Sequence, residues 1–263
     1  MTILTDNTAD LSPQECTLNN IISLPCGVIK GDKEYLVSAL SNEIYEDELY
    51  PYVLDGGVLK TFRDMGSWYK AINEIDDDIL FVGTSPGISG DFKQLHIIKN
   101  MIGESEKRIE LFDSKMSSAG LHTCVMKAVE LRDKGLTLDQ TITELEKFRD
   151  NIEFVFTCAS SEYLNTYGKI DGDKRLEDWP IVRAINGRMT PIGKSSSFEE
   201  SIDKIISLEI PYNEVFSTVT KDCPQEHIDY VRMKFNRPIT LNKASLSILA
   251  VAGPGTFTFA LVK

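Results

Sequence analysis

Three histidines in 263 residues, His96, His122 and His227, leave the chain poorly supplied with general bases. A serine nucleophile needs a base within hydrogen-bond reach. His96 follows Ser89 by seven residues, about two helical turns or roughly 10 Å, too far for direct proton transfer. The spacing G-x-S-x-G is absent as well, so neither Ser85 nor Ser89 sits on a nucleophile elbow. Cysteines are few and scattered: Cys16, Cys26, Cys124, Cys158 and Cys223 form no C-x-x-C pair and have no histidine at metal-ligand spacing. This pattern argues against a disulfide framework and a zinc site, and all five read as reduced thiols. Long apolar runs are missing, since none approaches the roughly 20 residues that span a bilayer. The opening MTILTDNTADL carries acids by position 6 and has no basic segment, which is not the pattern of a signal peptide. Basic residues are outnumbered 28 to 40, and a net charge of −12 repels phosphate backbones and anionic membranes. The expectation is a cytoplasmic protein with no nucleic-acid partner and no integral membrane segment.

A hydrophobic content of 42 % is enough to fill globular cores over this length. Short apolar runs alternate with segments of helical spacing, which predicts an α/β fold with parallel or mixed sheets flanked by helices. Strands are expected at Met1 to Leu4, Ile79 to Gly83 and Arg108 to Phe112, each ending in a loop rich in Ser, Thr, Asp or Gly. Helices are expected over 66–75, 89–103, 117–135 and 137–149, the last presenting Leu138, Ile142, Leu145 and Phe148 on one face. Past residue 150 the texture changes, with a strand at Glu153 to Cys158, a looped stretch around YGKIDGDKRLEDWP, and a helix over 198–207. A strand at Tyr212 to Val219, a helix opened by Pro224, and two apolar runs split by a Gly-Pro-Gly turn close the chain. The expected division is an N-terminal α/β domain over 1–150 and a C-terminal α/β domain over 151–263.

GTSPGISGDFKQ, from Gly83 to Gln94, reads as a strand-to-helix turn. It has neither the lysine of a Walker loop nor the spacing of a dinucleotide fingerprint. The acidic run EIDDD at 74–78, just before a buried strand, reads as a solvated helix end, so no metal site is expected. What remains is hydroxyls and backbone amides at strand ends. Ser89 and Gly90 at a helix start would favour an anion such as a carboxylate, although Ser89 can equally be a simple helix cap worth about 1 kcal/mol.

Several stretches together resemble the DegV family of bacterial fatty-acid-binding proteins. TDNTADL at 5–11 is similar to its T-D-S-T-A-D-L signature, with Asn7 in the serine position. LKTF at 59–62 occupies the place of a T-S pair, and ISGDF at 88–92 is similar to L-S-G-T-Y. DSKMSSAGL at 113–121 resembles D-S-x-x-x-S-x-G-x, YLNTYGKI at 163–170 resembles Y-L-x-x-x-G-R-I, and Gly253 to Gly255 match a C-terminal Gly-Pro-Gly turn. These run in order along essentially the whole chain.

The resemblance implies a two-domain fold with a long-chain fatty acid in a tunnel between the domains and no cofactor. It implies a non-catalytic role, presenting the lipid to an ATP-dependent fatty acid kinase that phosphorylates the carboxylate. Carried over by residue, it assigns the carboxylate to Thr61, Ser89 and the Gly90 amide. Phe62, Ser85, Val251 and Phe257 are expected as ligand-site or tunnel neighbours, and Phe259 and Ile248 are further candidates, each equally open to a core role. Phe62 in place of a serine is expected to make the pocket drier. Val251 stands where the family usually has a histidine, two residues before the Gly-Pro-Gly turn, and cannot carry charge. Lys169 replaces the arginine of G-R-I, keeping charge but losing the planar fork, at a position expected to contact the partner. Two other functions stay open: a lipid sensor or binder of another apolar acid with no kinase role, and a serine hydrolase or acyltransferase.

Overall fold

The computed structural model describes residues 1–37, 43–103, 107–168, 170 and 175–263. Lys169 lies outside the described residues. Three sheets organise the chain. The first is a parallel sheet of β1 (Thr2–Asp6), β2 (Ile21–Leu24), β6 (Ile79–Gly83) and β7 (Ile109–Asp113), in the order β2-β1-β6-β7. All five residues of β6, ILFVG, are buried, as expected for a central strand covered on both faces.

One face carries α3 (Met65–Asn73) and α4 (Asp91–Ile102), which pack Trp68, Ile72, Phe92, Leu95 and Ile98 onto Leu4, Ile79 and Phe81. The other face of β1 and β6, through Ile3, Leu80 and Val82, meets α5 (Ser118–Asp133). The acidic run before β6 serves the sheet edge: Asp77 pairs with the N-terminal ammonium, and Asp78 accepts the Arg108 amide at 2.8 Å. Among the described residues, no group of acids, cysteines and histidines could hold a metal ion.

A small antiparallel sheet is inserted in the chain between β2 and β6 of the parallel one. It contains β3 (Cys26–Lys30), β4 (Lys33–Leu36) and β5 (Lys60–Arg63), in the order β4-β3-β5. The short helix α1 (Pro13–Leu18) lies between β1 and β2, and α2 (Tyr50–Leu54) between β4 and β5.

The six-stranded sheet is mixed rather than parallel. It holds β8 (Ile152–Thr157), β9 (Pro180–Ile185), β10 (Arg188–Lys194), β11 (Glu214–Val219), β12 (Ile239–Lys243) and β13 (Phe257–Val262), in the order β10-β9-β8-β13-β11-β12. Only β11 and β12 run parallel. The expected parallel and mixed sheets are thus both present, the first sheet parallel and this one mixed. The remaining helices are α6 (Leu138–Arg149), α7 (Glu162–Tyr167), α8 (Phe198–Ile206), α9 (Gln225–Lys234) and α10 (Leu246–Ala252). The apolar run LSILAVA is thus a buried helix; over so few residues, apolarity alone does not separate helix from strand.

Period-2 alternation divides β13 between two cores. Phe257, Phe259 and Leu261 pack under α8 and α9 with Phe198, Ile202 and Val231, whereas Ala260 and Val262 face α5. α5 is therefore shared. Its Ala119, Leu121, Cys124, Val125, Ala128 and Val129 touch one core that joins Ile3, Leu80 and Val82 of the parallel sheet to Phe154, Phe156 and Val182 of the mixed sheet. Apolar residues surround the helix because it has protein on nearly every side.

The start of α5 is pinned by a buried polar cluster. Ser118, at φ 47°, donates to the Asp10 carboxylate and lies 2.6 Å from the Thr218 hydroxyl and 3.1 Å from that of Thr258. Asp10, itself at φ 54°, also accepts the Ser245 amide at 2.7 Å. Two non-glycine residues in the left-handed region cost on the order of 1 kcal/mol or more each, which the hydrogen bonds must offset.

Burial pushes the Asp10 carboxyl up to about 6, against the downward pull of its bonds to Ser118 and Ser245. The folded state then holds a proton that the unfolded chain has released, so stability falls as pH rises from about 4 to about 6 and is level above that. A shift of this size corresponds to about 3 kcal/mol. Urea unfolding of the wild-type protein between pH 4 and 7 is expected to show that decline, and Asp10→Asn to flatten it; an equal slope in the variant would remove Asp10 as its source.

Candidate functional site

Thr61 and Arg63 share one face of β5, because alternate residues of a strand point the same way. In register they stand opposite Val28 and Cys26. Phe62 points to the other face, where its ring lies over Gly27 so closely that a Cβ there would come within 2.2 Å of it. Phe62 therefore points away from the face that carries Thr61.

Ser89 and Gly90 lie at the start of α4, but Gly90 rather than Ser89 is the N-cap, with no side-chain capping bond. The Ser89 hydroxyl instead reaches the Asp91 carboxylate, while its amide closes a turn on the Ser85 carbonyl at 2.9 Å. Gly90 is exposed, and a side chain there would meet nothing within 4 Å.

A buried ion pair that the sequence reading missed brings these two segments together. Arg63 Nε lies 2.9 Å from Asp91 Oδ1, and Nη2 donates to Oδ2 at 3.2 Å. The pair links the residue two beyond Thr61 to the residue two beyond Ser89, so both hydroxyls flank one salt bridge. Burial pushes the Asp91 carboxyl up, the nearby Asp6 charge adds to this, and Arg63 opposes both. For Arg63, burial works against the charge, but Asp91 and Asp6 outweigh it and keep the guanidinium protonated. Asp6 is occupied by the adjoining loops, accepting the Thr8 amide at 2.9 Å and the Thr84 amide at 2.8 Å.

Thr61 is held from across the molecule by α7. The Tyr167 phenol accepts hydrogen bonds from Thr61 and donates to the Leu59 carbonyl, and burial pushes it up to about 12. One turn earlier, Tyr163 donates to the Val53 carbonyl at 2.6 Å. The two tyrosines of YLNTYGKI thus clamp the chain on both sides of the turn leading into β5.

α10 closes the other side. Ser247 donates to Asn7 Oδ1 at 3.0 Å and meets the Cys26 sulfur at 3.0 Å. Val251 follows one turn along the same face, half-buried. Asn7, Cys26 and Leu246 also line a cleft of about 960 Å³ together with Leu11, Leu24 and Pro25.

The other expected neighbours fall elsewhere. Ser85 is buried beneath the β9–β10 hairpin, whose Asn186-Gly187 turn has positive φ at both residues; a Cβ on Gly187 would lie 2.4 Å from the Ser85 hydroxyl. Phe257 stacks in the outer core, 4.9 Å from the Phe198 ring, on the sheet face away from α5, and Phe259 shares that core. Both pack in that core, the other role left open for them, and Ile248 belongs to the core shared by α5.

The histidines do not assemble a hydrolytic site with these serines. His122 is buried, stacked on Phe216 with ring centroids 4.1 Å apart and its Nδ1 3.1 Å from the Ala9 carbonyl. His227 stacks on Phe198, and His96 is exposed on α4.

Architecture and site together define an α/β protein in which a parallel sheet and a mixed sheet share one helix, a buried ion pair joins β5 to the start of α4, and α10 packs against β3 and β5. The DegV family model, described as one of uncharacterised proteins, matches residues 1–263, and the chain belongs to that family. It is 24 % identical over 259 residues to a DegV domain-containing protein of Staphylococcus aureus, covering 94 % of this chain and 91 % of that one. A Clostridium acetobutylicum DegV domain-containing protein is 27 % identical over 217 residues, covering 78 % and 75 %. Among solved structures, a fatty-acid-binding DegV family protein of Thermus thermophilus superposes with a TM-score of 0.82 at 19 % identity, covering 100 % of this chain and 99 % of that one. The Fak B3 protein of Streptococcus pneumoniae fatty acid kinase, loaded with linoleic acid, gives 0.82 at 16 % identity with the same coverage.

The Gly-Pro-Gly turn fixes α10 against α7. Gly253 adopts φ 81° and ψ 178°, a region essentially reserved for glycine, and a Cβ there would sit 2.3 Å from the Tyr163 ring. Gly253→Ala is expected to cost about 3 kcal/mol or more in urea unfolding, from backbone strain of about 1 to 3 kcal/mol together with displacement of Tyr163; a loss below about 1 kcal/mol would refute this account of the turn.

Proposed function

We propose that this protein binds a long-chain fatty acid without catalysing its conversion, and presents the carboxylate to a partner kinase. The observation that carries the reading is the ion pair that joins the Thr61 strand to the Ser89 helix, in a fold whose solved relatives hold fatty acids. Thr61, Ser89 and the Gly90 amide hold the carboxylate in this reading. Two domains, 1–150 and 151–263, enclose the lipid between them. The kinase role draws its support from the Fak B3 relative.

A sixteen-carbon chain has some fourteen methylenes, and burying them at about 0.8 kcal/mol each gives roughly 11 kcal/mol before the cost of ordering the chain. The tail dominates affinity, and the head-group residues decide which end faces the mouth. Native mass spectrometry of protein purified from a bacterial host is expected to show a retained long-chain fatty acid. Lipid-free protein that also ignores added fatty acid would defeat the reading.

Orientation as the role of the hydroxyls has its own consequence. With a fatty acid kinase and ATP, Thr61→Ala and Ser89→Ala are expected to lower acyl-phosphate formation roughly tenfold while lipid retention drops less than threefold; equal losses in both would count against it. Val251, where the family has a histidine, favours a second reading in which the chain holds the lipid as a sensor and no kinase is engaged. In that case wild-type protein retains lipid but supports no acyl-phosphate formation. Ser89 as a nucleophile would show instead as turnover of a chromogenic ester abolished by Ser89→Ala.

A further inference from the structure

The mouth between Thr61 and Ser89 contains a full positive charge that the hydroxyl assignment leaves unused. We propose that the outer edge of the Arg63 guanidinium receives the ligand carboxylate, with Asp91 acting as the positioning residue that holds it there. This rests on the fatty-acid reading above and names the charge that recognises the acid.

A guanidinium offers two edges to carboxylates, one through Nε and an Nη, the other through both Nη groups. Asp91 sits at the first edge, accepting a hydrogen bond from Nη2, with Nε 2.9 Å from its Oδ1 but making no hydrogen bond. Nη1 makes no hydrogen bond to any described residue. The exposure is asymmetric in the same sense: 11 % of the Arg63 side chain remains accessible against 2 % for Asp91, so the open edge of the pair belongs to the cation. That edge lies on the Thr61 face of β5, opposite Cys26, and Cys26 lines the 960 Å³ cleft with Leu24, Pro25 and Leu246. An acyl chain in the cleft would reach Cys26, the residue paired with Arg63 across β3 and β5.

Asp91 stands where the resembled motif L-S-G-T-Y has a threonine. With a valine at position 251, the α10 side of the mouth offers no charge. An arginine held in one rotamer by a buried carboxylate supplies it, and the pairing reduces the side-chain ordering cost that a free arginine would incur when the ligand arrives. Asp91 also neutralises the cation when no ligand is present. Asp6, the other acid felt by Arg63, has its oxygens engaged by Thr8 and Thr84.

The test compares hexadecanoic acid with 1-hexadecanol, which share a tail and differ in head-group charge, by competition in native mass spectrometry at pH 8. Wild-type protein is expected to favour the acid at least tenfold. Removing Arg63 alone strands a buried carboxylate, so the informative variant replaces both partners, Arg63→Met with Asp91→Leu, an exchange buried ion pairs often tolerate. It is expected to retain the alcohol as well as wild type does and to lose the preference for the acid. Arg63→Lys, which keeps charge without the fork, is expected to lower the preference several-fold while circular dichroism stays unchanged; this second variant decides the matter if the double variant does not fold. Wild-type protein that holds acid and alcohol alike overturns the inference and leaves lipid binding standing. A preference unaltered by the double variant, or by Arg63→Lys, overturns it too. Failure of wild type to hold either lipid removes both the inference and the function on which it rests.

Discussion

The fold depends on one helix serving two sheets. α5 is buried almost all round because β1 and β6 press on it from one side and β8, β11 and β13 from the other. A helix in that position cannot shift without opening both cores, so the two sheets are fixed relative to each other by ordinary close packing. The polar cluster at its first turn sets the register of that packing. Ser118 meets Asp10 from the loop after β1, Thr218 from β11 and Thr258 from β13, so one hydroxyl binds three separated segments. Such a network is costly when half-satisfied and specifying when complete. It also brings the loop after β1 against the start of α10, through the bond from the Ser245 amide to Asp10.

From that fixed frame the mouth follows. α10 is anchored to Asn7 and Cys26 by Ser247, α7 is tied to the backbone around β5 by two phenols, and α4 is tied to β5 by Arg63 and Asp91. A buried ion pair contributes little net stability, because desolvating both charges offsets most of their attraction. An apolar pair of similar volume would join β5 to α4 at least as firmly. What the charges add is direction: a planar donor fork held in one orientation beside two hydroxyls, an arrangement suited to a small planar anion.

Much of this was legible in the sequence where the signal was periodic or positional. β6 and α6 fall where alternation and spacing place them, with Leu138 and Leu145 buried on the expected face. The break between α5 and α6 follows from Gly135 at φ 81° and the Thr137 capping box. Contacts between residues distant in sequence were not legible. Arg63 and Asp91 are 28 residues apart, and nothing local marks either as buried. A period-2 reading of KTFR puts Arg63 beside Thr61 and turns Phe62 away. The hairpin at Asn186-Gly187 also had a local sign, since Asn-Gly between apolar stretches favours the tight turn with positive φ at both positions. Phe257 and Phe259 were ambiguous for a different reason: a fully buried strand is apolar on both faces, and only the second layer of helices decides which core each side chain enters.

The division of labour between tail and head group explains how such a mouth can vary while the fold is kept. If roughly 11 kcal/mol is available from an acyl chain, a change of 1 to 3 kcal/mol at the carboxylate alters orientation and selectivity far more than retention. The position two residues before the Gly-Pro-Gly turn can then hold valine, provided that another group marks the end of the chain that carries charge. On the proposed reading Arg63 would do so from a strand whose entry is tied to α7 by Tyr167, and that would change which surface surrounds the carboxylate. Whatever approaches the carboxylate of a lipid seated there meets β5 and the start of α4, and the Gly90 edge of that surface is open.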